Sequence, residues 1–159
     1  MQVSFKTADG QHYLCAELDG RVVADRTAEG AWELWTLAHL GGDTYTLRSA
    51  HGGYLCAEPD GRVIADRAES GPWEAWRLVQ AGGGVAFVSH HGRYLCAEGG
   101  GGGAVVADRE AAGAWETFTP SRAIGPLPIA SLSRLRVEDN RRWFANDAGR
   151  FDWREVSCC

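Results

Sequence analysis

Tyr13-Leu14-Cys15-Ala16-Glu17 stands near the start of the chain. The same five residues return as Tyr54-Leu55-Cys56-Ala57-Glu58 and as Tyr94-Leu95-Cys96-Ala97-Glu98. The neighbours of each copy recur as well. A Val-x-Ala-Asp-Arg stretch follows (Val22 to Arg26, Val63 to Arg67, Val105 to Arg109), then a Trp-Glu pair at Trp32-Glu33, Trp73-Glu74 and Trp115-Glu116. A fixed period of about 40 residues marks a repeated supersecondary unit. Three units and no more point to a closed object rather than an open array.

Each unit reads as four short strands. In the first they cover about Val3 to Thr7, His12 to Glu17, Arg21 to Asp25 and Trp32 to Ala38. Turn signals separate them at Ala8-Asp9-Gly10, Asp19-Gly20, Glu29-Gly30 and Gly41-Gly42-Asp43. No stretch holds a helical period, so the fold class is all-β. Alternation puts Leu14 and Ala16 on one face, with Tyr13, Cys15 and Glu17 on the other. Leu14, Val22, Trp35, Leu37 and their counterparts are the expected core around a pseudo-threefold axis. Twelve such strands can close into a six-stranded barrel capped by three hairpins, which removes exposed sheet edges. That architecture is a β-trefoil over residues 1–120, with repeats of about 3–42, 43–82 and 83–120. Residues 121–159 read as a linker and a tail.

With 159 residues and 45% hydrophobic content, the chain is long enough for one domain with a sizeable core plus an appendage. A formal charge of −5 argues against nucleic acid or an anionic membrane as partner, because both need a basic face. There is no apolar run of membrane-spanning length. The first residues carry no leader pattern, and five cysteines, three at one repeat position, do not pair in a way that respects threefold symmetry. Reduced thiols in the cytoplasm are the expectation, with an extracellular setting left open.

The pattern Gly-x-Tyr-Leu-x-Ala-Glu, Gly with Val-x-Ala, and Trp-Glu-x-aromatic-x-Leu resembles the fascin-like branch of the trefoils, of the actin-crosslinking-like superfamily. The resemblance spans about residues 3–120. Ricin-type lectin trefoils carry Gln-x-Trp in the final strand. The positions here read Glu33-Leu34-Trp35, Glu74-Ala75-Trp76 and Glu116-Thr117-Phe118, a weaker match. After the Pro-rich stretch Ile124 to Pro128, strands are expected over Leu132 to Glu138, Arg141 to Asn146 and Arg150 to Ser157. Asn140, Arg142, Phe144, Gly149, Arg150, Phe151 and Trp153 resemble a hairpin that precedes the first barrel strand in TIM-barrel glycoside hydrolase modules. No catalytic carboxylate of such a barrel is present.

Candidate chemistry is sparse. Three thiolates could hold zinc, but cysteines on the face away from the axis diverge, so they read as small fillers, and Cys158-Cys159 reads as a chain end. Asp25-Arg26, Asp66-Arg67 and Asp108-Arg109, beside Glu33, Glu74 and Glu116, could suggest the carboxylate pair of a glycosidase. Their threefold recurrence favours Arg-carboxylate bridges locking each hairpin to its neighbour. Trp32, Trp73 and Trp115 can stack on sugar rings or plug the bottom of a trefoil, and recurrence favours the plug. Tyr13, Tyr54 and Tyr94 share that ambiguity. His51 and the pair His90-His91 differ between copies, as does the Gly99 to Gly103 run, two residues longer than its counterparts. That run lacks the helix and lysine of a phosphate loop.

The expectation is a non-catalytic module without cofactor or metal that binds a glycan or polysaccharide, as an accessory domain of a glycoside hydrolase. Its ligand-binding candidates are Tyr13, Trp32, Tyr54, Trp73, Tyr94, Trp115, His51 and His90. Three equivalent pockets would add avidity on a polymer. The alternative, implied by the fascin resemblance, is an actin-binding or cross-linking scaffold. Fascins use several trefoils in tandem to bundle filaments, and the acidic balance here does not favour acidic actin.

Overall fold

The structure, a computed structural model, describes residues 1–129. The tail strands expected over 132–157, the hydrolase-like motif from Asn140 to Trp153 and the Cys158-Cys159 pair lie outside those residues. Repeat one contains β1 (Gln2–Val3), β2 (Phe5–Lys6), β3 (Tyr13–Ala16), β4 (Val22–Arg26) and β5 (Trp35–Gly41). Repeat two contains β6 (Thr44–Arg48), β7 (Tyr54–Ala57), β8 (Val63–Arg67) and β9 (Trp76–Ala81). Repeat three contains β10 (Gly84–Val88), β11 (Tyr94–Ala97), β12 (Val105–Arg109) and β13 (Thr119–Pro120). The fold is the expected all-β trefoil.

The one expected strand over 3–7 is split at Ser4, where the backbone changes partner. β1 pairs with β5, whereas Ser4 exchanges hydrogen bonds with Ser121 and β2 pairs with β13. The ladders do not run unbroken around the barrel. One sheet follows β1-β5-β6-β9-β10-β11-β12, a second follows β13-β2-β3-β4, and Val85 and Phe118 bridge them with two 2.8 Å backbone hydrogen bonds.

The fourth strand of each repeat begins later than the pattern suggests. Trp32, Trp73 and Trp115 lie in single 3-10 turns (Ala31–Glu33, Pro72–Glu74, Ala114–Glu116), and β5 and β9 begin only at Trp35 and Trp76. A glutamate at the end of each turn explains the form. The Glu33, Glu74 and Glu116 carboxylates reach back to accept from the N–H of Gly30, Gly71 and Gly113 at 2.6, 2.6 and 2.7 Å. That contact satisfies a donor which the start of a helical turn leaves open.

One apolar cluster fills the centre. Leu14, Trp35, Leu37, Leu55, Trp76, Leu78, Leu95 and Phe118 belong to it, as do Val3, Phe5, Tyr45, Leu47, Val85 and Phe87 from the first strands of the repeats. The two indoles are anchored alike, each Nε1–H donating to a backbone oxygen, that of Leu14 at 3.1 Å and that of Leu55 at 2.9 Å. In the third copy Phe118 has no such donor and stacks on Phe87 at 5.4 Å, with Phe5 edge-on to Phe87 at 4.9 Å.

Neighbouring repeats are stitched by their second hairpins. Ala65 N–H donates to Gly20 O at 2.7 Å, Ala107 N–H to Gly61 O at 2.8 Å, and Ala24 N–H to Gly103 O at 2.8 Å. Gly20 and Gly61 have φ of +95° and +97°, and a Cβ on either would lie 2.8 Å from Asp66 or Asp108 Cβ. Only glycine allows this approach.

The stretch after Pro120 is not a free linker. Leu127 is buried in the central cluster and Ile124 packs against it. Gln80 holds the same segment, its N–H donating to Pro128 O at 2.8 Å and its side-chain amide to Leu127 O at 2.9 Å.

Candidate functional site

Each repeat places Cys, Glu, Arg and Glu in one knot. Both faces of β3 are covered: Leu14 and Ala16 enter the core, and Cys15 lies behind them against the turn that ends in Glu33. Arg26 joins Glu17, Asp25 at 3.4 Å and Glu33 at 3.8 Å, and its Nη1 donates to Cys15 Sγ at 3.3 Å. Arg67 binds Glu58, Asp66 and Glu74 in the same way, and Arg109 binds Glu98, Asp108 and Glu116. Every partner lies within the arginine's own repeat. The bridges therefore fasten a hairpin to its own turn, not to the neighbouring repeat.

These knots have no nucleophilic character. Burial, then the hydrogen bond to Glu33 and its charge, push the Cys15 thiol up to about 12, and Glu74 has the same effect on Cys56, also about 12. Cys96 is raised by burial and Glu116. A thiol so disfavoured as thiolate is a poor nucleophile near neutral pH. Among the described residues no three His, Cys, Asp or Glu gather as a metal site needs.

The junctions between repeats are more open. In repeat two, Ser49 N–H donates to Gly53 O and Gly52 N–H to Ser49 O, which folds 49–53 into a tight turn. That turn carries His51 across to repeat one, where its Nε2–H donates to Ala16 O at 3.1 Å and its ring meets Trp32 edge-on at 4.6 Å. His91 repeats the arrangement between repeats three and two, donating to Ala57 O at 3.0 Å and meeting Trp73 at 5.4 Å. Beside His51 opens a cleft of about 250 Å³ between Leu18, Asp19 and Gly20 of one repeat and Gly53, Asp66 and Ala68 of the next. The N–H and guanidinium of Arg21 hold the Asp19 carboxyl below the usual carboxylate range.

The candidate aromatics separate into groups. Trp32 is 37% exposed and Trp115 43%, with Trp73 half-buried, so none of them is a plug. Ile124 and Leu127 supply additional apolar packing on the core instead. Tyr94 is buried in a second small cluster with Val88 and Ala112 and cannot meet a ligand. Tyr13 and Tyr54 are half-buried, with Lys6 and Arg48 over their rings at 5.5 and 5.3 Å.

His90 is exposed and lies edge-on to His91, which is the true counterpart of His51. The shared signal was present in the sequence: His51 and His91 each precede a glycine and stand three residues before the repeat tyrosine. Asp19, Gly53 and Asp66 gave no such signal, since only the packing of one repeat on the next brings them together.

A family model described as "Fascin domain" matches residues 9–120. No curated protein matches the chain. Among solved structures, the crystal structure of ThreeFoil, a designed threefold-symmetric protein, is similar with a TM-score of 0.67. Identity to it is 25%, over 77% of this chain and 99% of that one.

Proposed function

The chain belongs to the fascin domain family, and from that premise we propose that it is a non-catalytic binding module whose ligand is a glycan held at a repeat junction. The observation that carries this reading is the cleft lined by His51, whose ring meets the exposed Trp32 indole edge-on. An aromatic face offers apolar stacking to the C–H side of a sugar ring, and carboxylates at the rim accept from its hydroxyls. At about 250 Å³ the cleft falls below the roughly 300–1,000 Å³ of drug-sized sites, which suits a single ring. The tail's sequence resemblance to the hairpin ahead of a glycoside hydrolase barrel favours the same reading. Inert, buried thiols and arginine-tied carboxylates favour binding over catalysis.

The family name supports a second reading, an actin-binding scaffold. Actin co-sedimentation run beside a glycan array separates the two. The glycan reading expects retention on the array and none on filaments. Trp32→Ala should lower glycan retention several-fold, as the loss of about 1 kcal/mol of stacking would do. Filament binding without any glycan signal favours the scaffold.

A further inference from the structure

The three junctions are alike in sequence but not in access. At the first, position 53 is glycine, and it must be: a Cβ there would lie 2.0 Å from Ala65 O. The cleft stays open above it, with Ala68 exposed on the far side.

At the second junction the counterpart of Gly53 is Arg93, since Ser89 N–H donates to Arg93 O as Ser49 N–H does to Gly53 O. The Arg93 side chain spans the groove. Its Nη1 donates to Asp108 O at 3.1 Å and its Nη2 lies 3.7 Å from the Glu110 carboxylate. Asp108 and Glu110 stand where the first junction has Asp66 and Ala68. An arginine crosses the space that is empty at the first junction.

At the third junction the longer glycine turn folds inward. Asp9, in the register of His51 and His91, donates its N–H to Gly100 O at 3.0 Å. A Cβ on Gly101 would be 2.5 Å from Thr7 Oγ1 and 2.8 Å from Asp9 Oδ2, and one on Gly102 would be 3.7 Å from the His12 ring. Backbone without side chains fills this groove, which gives the two additional residues and the unbroken glycine run a physical use.

We infer that the trefoil carries one open glycan site, at the junction of repeats one and two, and that Arg93 and the Gly99–Gly103 turn close the other two. Resting on the glycan reading, the inference gives the module single-ring, one-site binding. The avidity expected of three equivalent pockets is absent, so engagement of a polymer is set by the first junction alone.

The test is an amide-shift titration of the isotope-labelled full chain with glucose, galactose, mannose and N-acetylglucosamine as separate probes. It is run on the wild type, Ala68→Trp and Arg93→Gly. In the wild type, perturbations are expected around Leu18–Gly20 and His51–Gly53 and nowhere else; they persist in Arg93→Gly and are lost in Ala68→Trp. In Arg93→Gly a second set is expected around His91 and Asp108. Perturbation at the second or third junction of the wild type overturns the single-site inference but leaves the glycan reading standing. Perturbation confined to surfaces away from the junctions overturns the single-site inference together with the placement of the glycan at a junction. Failure of a well-folded Arg93→Gly to gain the second set overturns the closing role of Arg93. Silence toward every sugar in all three proteins sinks the glycan reading, and the inference falls with it.

Discussion

Burial and the neighbouring Glu74 hold the Cys56 thiol near 12, so essentially no thiolate exists at pH 8. With Cys158 and Cys159 changed to serine, Ellman's reagent should label none of Cys15, Cys56 and Cys96 in the native protein and all three after unfolding. Labelling of the folded protein on mixing would overturn this account. Glu74 itself is buried, and removing its carboxylate orphans the Gly71 N–H. Glu74→Ala should cost about 0.5–2 kcal/mol in urea titrations, the usual scale for losing a contact that caps a helical turn. Asp9 responds to acid. Burial opposes its charge, but the Thr7 hydroxyl, the Gln11 N–H and His12 outweigh that and hold it at about 2. Its folded pKa lies below the unfolded value, so its stabilising contribution is complete above about pH 4 and lost as pH falls toward 2. Thermal melts of Asp9→Asn against wild type should therefore differ at pH 6 and converge near pH 2.

At the level of elements, the docked segment after Pro120 behaves as part of the trefoil. Leu127→Ala should destabilise by about 2–3 kcal/mol through the cavity it leaves, and limited proteolysis should spare residues 121–128. Cleavage at Pro126 with an unchanged melting temperature would show that the segment contributes nothing. Period-two alternation reveals Leu14, Trp35, Leu37 and their copies as core, because a strand with one face on the axis must bury every second residue. It starts the fourth strand too early, since a 3-10 turn held by Glu33, Glu74 or Glu116 occupies the positions of Trp32, Trp73 and Trp115, and it is the recurrence of these indoles that suggests a plug. Alternation also cannot register Cys15 as fully buried, because the cover on the second face comes from a turn seventeen or so residues on. The docking of Ile124 and Leu127 was hidden for another reason: proline-rich sequence signals stiffness and is silent about what the stiff segment lies against. The cleft was the least legible feature. It is formed by three separate stretches, and the residues that close its two counterparts, Arg93 and the glycine turn, look like ordinary surface variation until their positions in space are known.

At the scale of the whole molecule, the three repeats divide their labour. All contribute to the central packing, while, apart from Phe118 in place of the core tryptophan, the differences between copies gather at the junctions, where Gly53, Arg93 and His12 occupy one register. Symmetry thus serves stability, and its local loss controls access. Pairing of Thr119 with Lys6 brings the last trefoil strand beside the first. Where two such ends already lie side by side, the thread can be rejoined there and severed at another exposed bend, such as Gly41-Gly42, with the same neighbours restored. The gene's order of the three segments is then one of several cyclic orders able to encode this body.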